Sequence, residues 1–350
     1  MLLLNIIVRY FFIMTIIELR KFIDFLIERD YLVWTPVKKD NFVNYERLNG
    51  SDNFQFIGEA PFYSFKNFLV PCEETLFNYK KDELTEIDNS KDQVIFGINP
   101  VDLKALVLLN HIFEKDPWYQ GRMKKTLIIG QSLIPKEPEH NIFHYKYEED
   151  VLEHLQFDIF IEVQKGVFNT KYFFYTGSEK GQKILDEYGY SEYENIQFAG
   201  PIKEEGQDKN MIKYRDSLKN NYKKELWEKD LGTKCIECGK CSAICPTCFC
   251  FDIKDQPDLK NGAGERKRTL SSCFYSDFSE ISGKYKFLNN TAERIYFWYY
   301  HKFVKIPDEF SIPGCVGCGR CAKVCPVGIN IFKVLSELDN NEESIQDTIS

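Results

Sequence analysis

Cys235-Ile-Glu-Cys-Gly-Lys-Cys-Ser-Ala-Ile-Cys-Pro246 and Cys315-Val-Gly-Cys-Gly-Arg-Cys-Ala-Lys-Val-Cys-Pro326 repeat one spacing, C-x2-C-x2-C-x3-C-P. This is the run by which thiolates wrap a cubane iron–sulfur cluster. Three closely spaced thiolates hold three irons of one cube, and the fourth, displaced by an extra residue and a proline, ligates the other cube. Two such runs predict two [4Fe–4S] clusters close together, a device for passing single electrons. Cys235, Cys238, Cys241 and Cys325 are then one ligand set, and Cys315, Cys318, Cys321 and Cys245 the other. Gly239 and Gly319 occupy the same place in both runs. Glycine there permits positive φ and a close approach of backbone N–H groups to the cluster. Pro246 and Pro326 close the two runs. Neighbours differ between them (Ile236, Glu237 and Lys240 against Val316, Gly317 and Arg320), so unequal potentials are expected, with no sign attached.

Competing readings of the cysteines fare worse. Structural zinc uses C-x2-C knuckles as separated pairs closing one tetrahedral site, not four cysteines in one tight run. Disulfide frameworks belong to short secreted chains. Cys245-Pro-Thr-Cys248 has thioredoxin-like spacing, but Cys245 already serves its run. Ser242 and Ala322 stand where haem attachment needs histidine. Of twelve cysteines, only Cys72 lies outside the segment from Cys235 to Cys325. Such clustering points to metal and to a reducing cytoplasm.

The chain of 350 residues is long enough for two domains, and 43% hydrophobic with 28% charged residues is a globular balance. A formal net charge of −8 gives no reason to expect a nucleic-acid partner. Met1 to Ile17 is apolar but broken by Asn5 and Arg9, and falls short of the roughly 20 residues of a membrane span. No integral span is expected. No small-residue cleavage site follows. Met14 opens an amphipathic helix with Leu19, Phe22, Ile23 and Leu26 on one stripe, so translation is expected to start there and residues 1–13 to be a mis-assigned start; the rival reading is a short apolar extension that anchors to a membrane or partner.

From residue 14 to about 225 the patterns predict an α+β or α/β domain. Val94–Ile98 reads as a buried strand, Asn99 as a cap and Pro100 as the first residue of an apolar helix to Phe113. Thr126–Ile129 reads as another buried strand. Phe157–Val163 and Val167–Tyr175 read as a hairpin, followed by a helix over Ser178–Tyr188. A charged helix over residues 208–230 leads into the first run. Residues 226–338 are then expected to form a dicluster ferredoxin-like domain with an insertion over 251–310. The insertion holds a polar loop, Asp255–Lys267, and an aromatic helix from Thr291 to about Phe303, read as packing over the clusters in preference to a partner-docking face. Gly262-Ala-Gly264 reads as a turn, because it does not join a strand to a helix. Residues 339–350 form an acidic tail. The histidines (His111, His140, His144, His154, His301) are scattered, and no nucleotide or hydrolytic constellation stands out.

Several stretches carry a resemblance. Cys245-Pro-Thr-Cys-Phe-Cys-Phe-Asp252, the second run through Ile329, Ser272-Cys273 with Asp277-Phe278, Arg294, His301-Lys302-Phe303, and Phe96-Gly-Ile-Asn-Pro-Val-Asp-Leu-Lys-Ala105 resemble the iron–sulfur β subunits of sulfur-reducing hydrogenases. They are similar also to the related A subunits of anaerobic sulfite reductases. The stretch Pro71–Phe77 resembles a further family box. Gln131-Ser132-Leu133 and Asn141-Ile142-Phe143-His144 lack the cysteines frequent there in the family, and Val101 replaces a common cysteine. The resemblance implies an electron-transfer subunit of a cytoplasmic, anaerobic oxidoreductase complex. It implies as partners a flavin-containing, NAD(P)-linked subunit and a hydrogenase or sulfite-reducing catalytic subunit. Asp102 and Lys104 are expected either on a partner-docking surface or as solvated first-turn residues. Cys248, Cys250 and Cys273 read either as a third metal site, completed by Cys72 or a non-cysteine ligand, or as small buried hydrophobes beside the clusters. Alternatives for the whole chain are a subunit that itself reduces sulfur or disulfides, and a zinc-stabilised interaction protein.

Overall fold

The computed structural model describes residues 14–52, 54–81, 83–133, 152–166, 169–202, 209–222 and 225–346. The expectations for residues 1–13, for Asn141–His144 and for the last four residues of the tail lie outside these. A seven-stranded sheet organises the first half. Its strands are β1 (Leu32–Lys39), β2 (Phe42–Arg47), β5 (Gln93–Ile98), β6 (Thr126–Gln131), β7 (Ile159–Lys165), β8 (Thr170–Thr176) and β9 (Tyr193–Asn195). They lie in the order β2-β1-β5-β6-β7-β8-β9, with β1, β5, β6 and β7 parallel. Parallel strands covered on both faces read as continuous apolar runs, as β5 and β6 do. Side chains alternate between the faces. Val94, Phe96, Leu127 and Ile129 meet the helix Ile16–Glu28, whereas Ile95, Ile128 and Phe160 meet the helix Pro100–Ile112.

Local chemistry accounts for both helix starts. Thr15 and Glu18 form a reciprocal capping box, and Asn99 accepts from the Asp102 N–H at 2.9 Å ahead of Pro100. The helix Pro100–Ile112 is buried along both sides from Pro100 to Leu109. One side faces the sheet; the other faces the cysteine-rich half, where Val316, Cys318 and Phe249 join the same core and Leu108 meets Ile306 and Ile312. A helix apolar all round is a buried helix, and here it is the shared layer between the halves.

A second sheet ties them further. Strands β3 (Glu73–Lys80) and β4 (Glu83–Glu86) combine with β10 (Phe251–Asp258) and β11 (Ala263–Leu270) in the antiparallel order β10-β11-β3-β4. The polar stretch Asp255–Lys267 is therefore a β-hairpin rather than a loop, with its turn over residues 259–262; of the expected Gly262-Ala-Gly264 turn only Gly262 lies in it, and Ala263 and Gly264 open β11. Both faces of β10 meet solvent, so the apolar alternation that marks a strand is missing, and β11 finds its partner in β3 of the first half. Buried Arg268 of β11 reaches Glu74 and Asp116, and Arg122 reaches the same Glu74.

The charged helix stops at Asn220 and is followed by a wide turn over Leu226–Leu231 with five-residue hydrogen-bond spacing. The aromatic helix spans Thr291–Tyr300 and continues through a similar turn, His301–Lys305, into Ile306–Phe310. Its Tyr296, Trp298 and Tyr299 pack with Trp227, Phe303, Phe332 and Leu335 in a core bordered by Cys235, Cys241, Cys315 and Cys321. The packing role expected of this helix is the one it has.

Candidate metal centre

Each cysteine run folds the same way. Gly239 (φ 69°) and Gly319 (φ 71°) turn left-handed and start the short helices Lys240–Ile244 and Arg320–Val324. Each run then returns to extended backbone at Cys245 and Cys325. A second left-handed residue precedes each glycine, Glu237 in one run and Gly317 in the other. At Gly239 a Cβ would also stand 2.8 Å from the Tyr275 ring, so both conformation and space demand glycine.

The thiols sort across the runs, not within them. One cavity is lined by Cys235, Cys238 and Cys241 together with Cys325, Pro326 and Cys321, and its remaining wall is almost wholly apolar: Phe274, Ile295, Trp298, Tyr299, Ile329 and Ile331. Backbone N–H groups point at sulfur here, from Glu237 to Cys235 (3.4 Å) and from Ile329 to Cys325 (3.3 Å). The reciprocal group forms around Cys245. Its thiol acts electrostatically on Cys315, Cys318 and Cys321, each pushed up first by burial and then by neighbouring thiols. Burial likewise raises Cys241 to about 12 and Cys315 to about 12. Soft thiolate donors spaced around a cavity, with N–H groups aimed at the sulfurs, are the donor set iron–sulfur clusters take. Among the described residues no three His, Cys, Asp or Glu side chains close on a single-ion site. Pro246 is buried behind Cys245, and Gly319 is buried too.

Two buried lysines stand beside Cys245. Lys302 donates to the Cys245 sulfur at 3.3 Å, to Thr247 Oγ1 at 2.9 Å and to Gly314 O at 3.2 Å. Burial opposes its charge, but Cys245, Cys248 and Cys315 outweigh burial and hold its pKa well above the usual lysine value. Lys66 donates to Ala243 O and Cys248 O, both at 3.1 Å. Cys248, Cys250 and Cys273 gather around this pair: Lys302 acts on all three, and Lys66 on Cys248 and Cys250. Cys72 is exposed and is joined through its carbonyl to Leu270. It sits one register step from Cys250, which bonds to Ser271 through the adjacent strand.

Asp102 and Lys104 are neither surface nor solvated residues; both are buried. Asp102 forms a two-pronged ion pair with Arg320, at 2.6 and 2.8 Å, and Arg320 also donates to Pro61 O at 2.9 Å. An aspartate in the first turn of a helix reads as a cap or a solvated group. Its burial follows from the cysteine-rich half packing over that turn. Arg294 similarly holds Glu237 and donates to Leu288 O. Lys66, Lys302, Arg320 and Arg294 escaped site reasoning because isolated cations carry no spacing signal. The visible hints were the basic residue after each glycine and the resembling stretches that include Arg294 and Lys302.

His301 stacks on Phe297 and lies near Phe249. Burial, aided by Lys302 and Lys305 against Glu309, lowers its pKa to about 4 from 6.5. Between those values the unfolded chain binds a proton that the folded chain refuses, so stability falls as pH drops through this window. Urea midpoints at pH 7 and pH 5 should diverge, and His301→Gln should narrow the gap. An equal gap in the variant would remove His301 from the account.

Comparison with known proteins points to the same class of cofactor. Residues 234–329 match a family described as a 4Fe-4S dicluster domain. Over 319 residues the chain is 28% identical to sulfhydrogenase 2 subunit beta of Pyrococcus furiosus, covering 87% of this chain and 92% of that protein. No solved structure matches the chain. The chain thus carries a 4Fe–4S dicluster domain behind a mixed α/β region, and its resemblance to a sulfhydrogenase β subunit extends over most of its length. Among the described residues, no helix is long and apolar enough to cross a membrane.

Proposed function

We propose that this chain is the electron-transfer iron–sulfur subunit of a multisubunit, hydrogenase-type oxidoreductase of a reducing cytoplasm. It would carry single electrons between a flavin- and NAD(P)-linked partner and a catalytic subunit. Cys235, Cys238, Cys241 and Cys325 hold one [4Fe–4S] cluster, and Cys315, Cys318, Cys321 and Cys245 hold the other. The observation that carries the reading is the crossed grouping of the thiols, with Cys325 lining the cavity of the first run and Cys245 set beside Cys315, Cys318 and Cys321. Bound clusters supply one-electron carriers. The residues do the rest: the thiols hold the irons, Trp298 and Tyr299 exclude water between the sites, and the shared helix Pro100–Ile112 keeps the second run rigid against the sheet. We place residues 14–225 as the partner-facing α/β domain and 226–338 as the cluster domain, with 251–310 inserted between the runs.

Anaerobic reconstitution of the full chain tests this. About eight irons and eight sulfides per chain are expected, with absorbance near 400 nm and a dithionite-induced paramagnetic signal broadened by a second nearby spin. The isolated chain should neither oxidise hydrogen nor reduce sulfite with artificial carriers. About twelve irons would assign Cys248, Cys250 and Cys273 to a third cluster. A colourless protein that takes up zinc instead would sink the reading.

A further inference from the structure

We propose that Lys302 raises the reduction potential of the centre held by Cys245, Cys315, Cys318 and Cys321 above that of its neighbour, so that an electron entering the chain rests on this inner centre. The inference rests on the two-cluster reading above and supplies the sign of the inequality.

Reducing either centre adds one negative charge to a cluster already anionic through its thiolates, so nearby positive charge favours the reduced form. Lys302 is 3% exposed and its nitrogen has three acceptors, a sulfur, a hydroxyl and a carbonyl. Three acceptors match the three protons of an ammonium. Thr247 gives its own proton to Gly314 O at 2.8 Å, which leaves a lone pair of its oxygen free to accept from Lys302. None of the three partners is a carboxylate, so the charge facing Lys302 is that of the cluster thiols. Lys66 adds a second buried cation, bonded to the carbonyls on either side of Cys245, those of Ala243 and Cys248. Arg320 adds little, since Asp102 offsets its charge.

Among the described residues, no buried cation without a carboxylate partner lines the other cavity, although Lys240 does line it. Arg294 beside it is matched by Glu237, and Lys240 is exposed, where water and salt screen it. Backbone N–H groups separate the two sites by one neutral donor, which counts for less than a full charge. Glu237, Ser242 and Ile329 serve the first, and Gly317 and Arg320 serve the second. Burial alone would lower the inner potential by penalising the added charge. The outer cavity is also apolar-walled, which weakens that contrast, and an ammonium at hydrogen-bond distance from a ligand sulfur outweighs what remains.

The test is a redox titration of the reconstituted full chain, followed by its paramagnetic signals. Two one-electron steps are expected. Lys302→Met should lower the upper step by about tenfold or more in its equilibrium constant, ~59 mV for one electron, and leave the lower step in place. Lys302→Arg should restore it. An iron-replete Lys302→Met chain with an unmoved upper step, or with the lower step moved instead, overturns the proposal while leaving the two-cluster reading intact. Should Lys302→Met fail to load iron, Lys66→Met decides: a lowered upper step supports the proposal and an unmoved one ends it. A wild-type chain that stays iron-free ends both readings together.

Discussion

Cys325→Ser, a change in the second cysteine run, is expected to strip the centre of the first run. On the proposed assignment Cys325 is the fourth ligand beside Cys235, Cys238 and Cys241, whose cavity it lines. Iron should fall from about eight to about four per chain, because a cube missing one thiolate in an apolar cavity loses its closure. The residual spectrum should coincide with that of Cys238→Ser and differ from that of Cys318→Ser. Cys245→Ser should do the reverse and match Cys318→Ser. The physical reason is the backbone after each short helix: Cys245 and Cys325 sit in extended conformation (ψ 127° and 115°), which turns each fourth thiol toward the neighbouring site. A Cys325→Ser spectrum matching Cys318→Ser would mean that each run closes its own cluster.

Asp102→Asn should be among the most destabilising single changes outside the cysteines. Asp102 and Arg320 are both almost completely buried and bonded through two prongs, so neutralising one leaves the other an uncompensated charge in the interior. Breaking such a pair costs about 3–5 kcal/mol, against roughly 0–1 kcal/mol for an exposed one. The damage should spread to the metal site, since Arg320 directly follows Gly319 and borders Cys318, whose thiol it influences. Denaturant unfolding of the reconstituted chain measures the first effect and iron retention the second. Asp102→Leu combined with Arg320→Met should recover much of the stability, because apolar groups of similar volume need no partner. A loss below about 1 kcal/mol for Asp102→Asn would show that water reaches the pair.

Much of the first half was legible because its signals are local. The run Val94–Ile98 with Asn99-Pro100 behind it specifies a strand, a cap and a helix start within a few residues, and the structure has all three. The stripe of Leu19, Phe22, Ile23 and Leu26 did the same for the first helix. The hairpin Phe251–Leu270 was not legible, since β11 needs β3 and its solvent-facing neighbour lacks an apolar face. Asp102 shows the same limit at a single residue. Its position in a first turn is a local fact, and its burial depends on a segment more than two hundred positions away.

The cysteine spacing by itself determined the donor chemistry, the twofold repeat and the left-handed glycines, because ligand geometry and backbone torsion act over a few consecutive residues. Only the tertiary structure decided which cations face those thiols. Lys66 and Lys302 reach the segment around Cys245 from opposite halves of the chain, Lys66 at the Cys248 carbonyl and Lys302 at the Cys245 sulfur. Charge acts through space with the distance between groups, and no pattern along the sequence encodes that distance before the chain has folded.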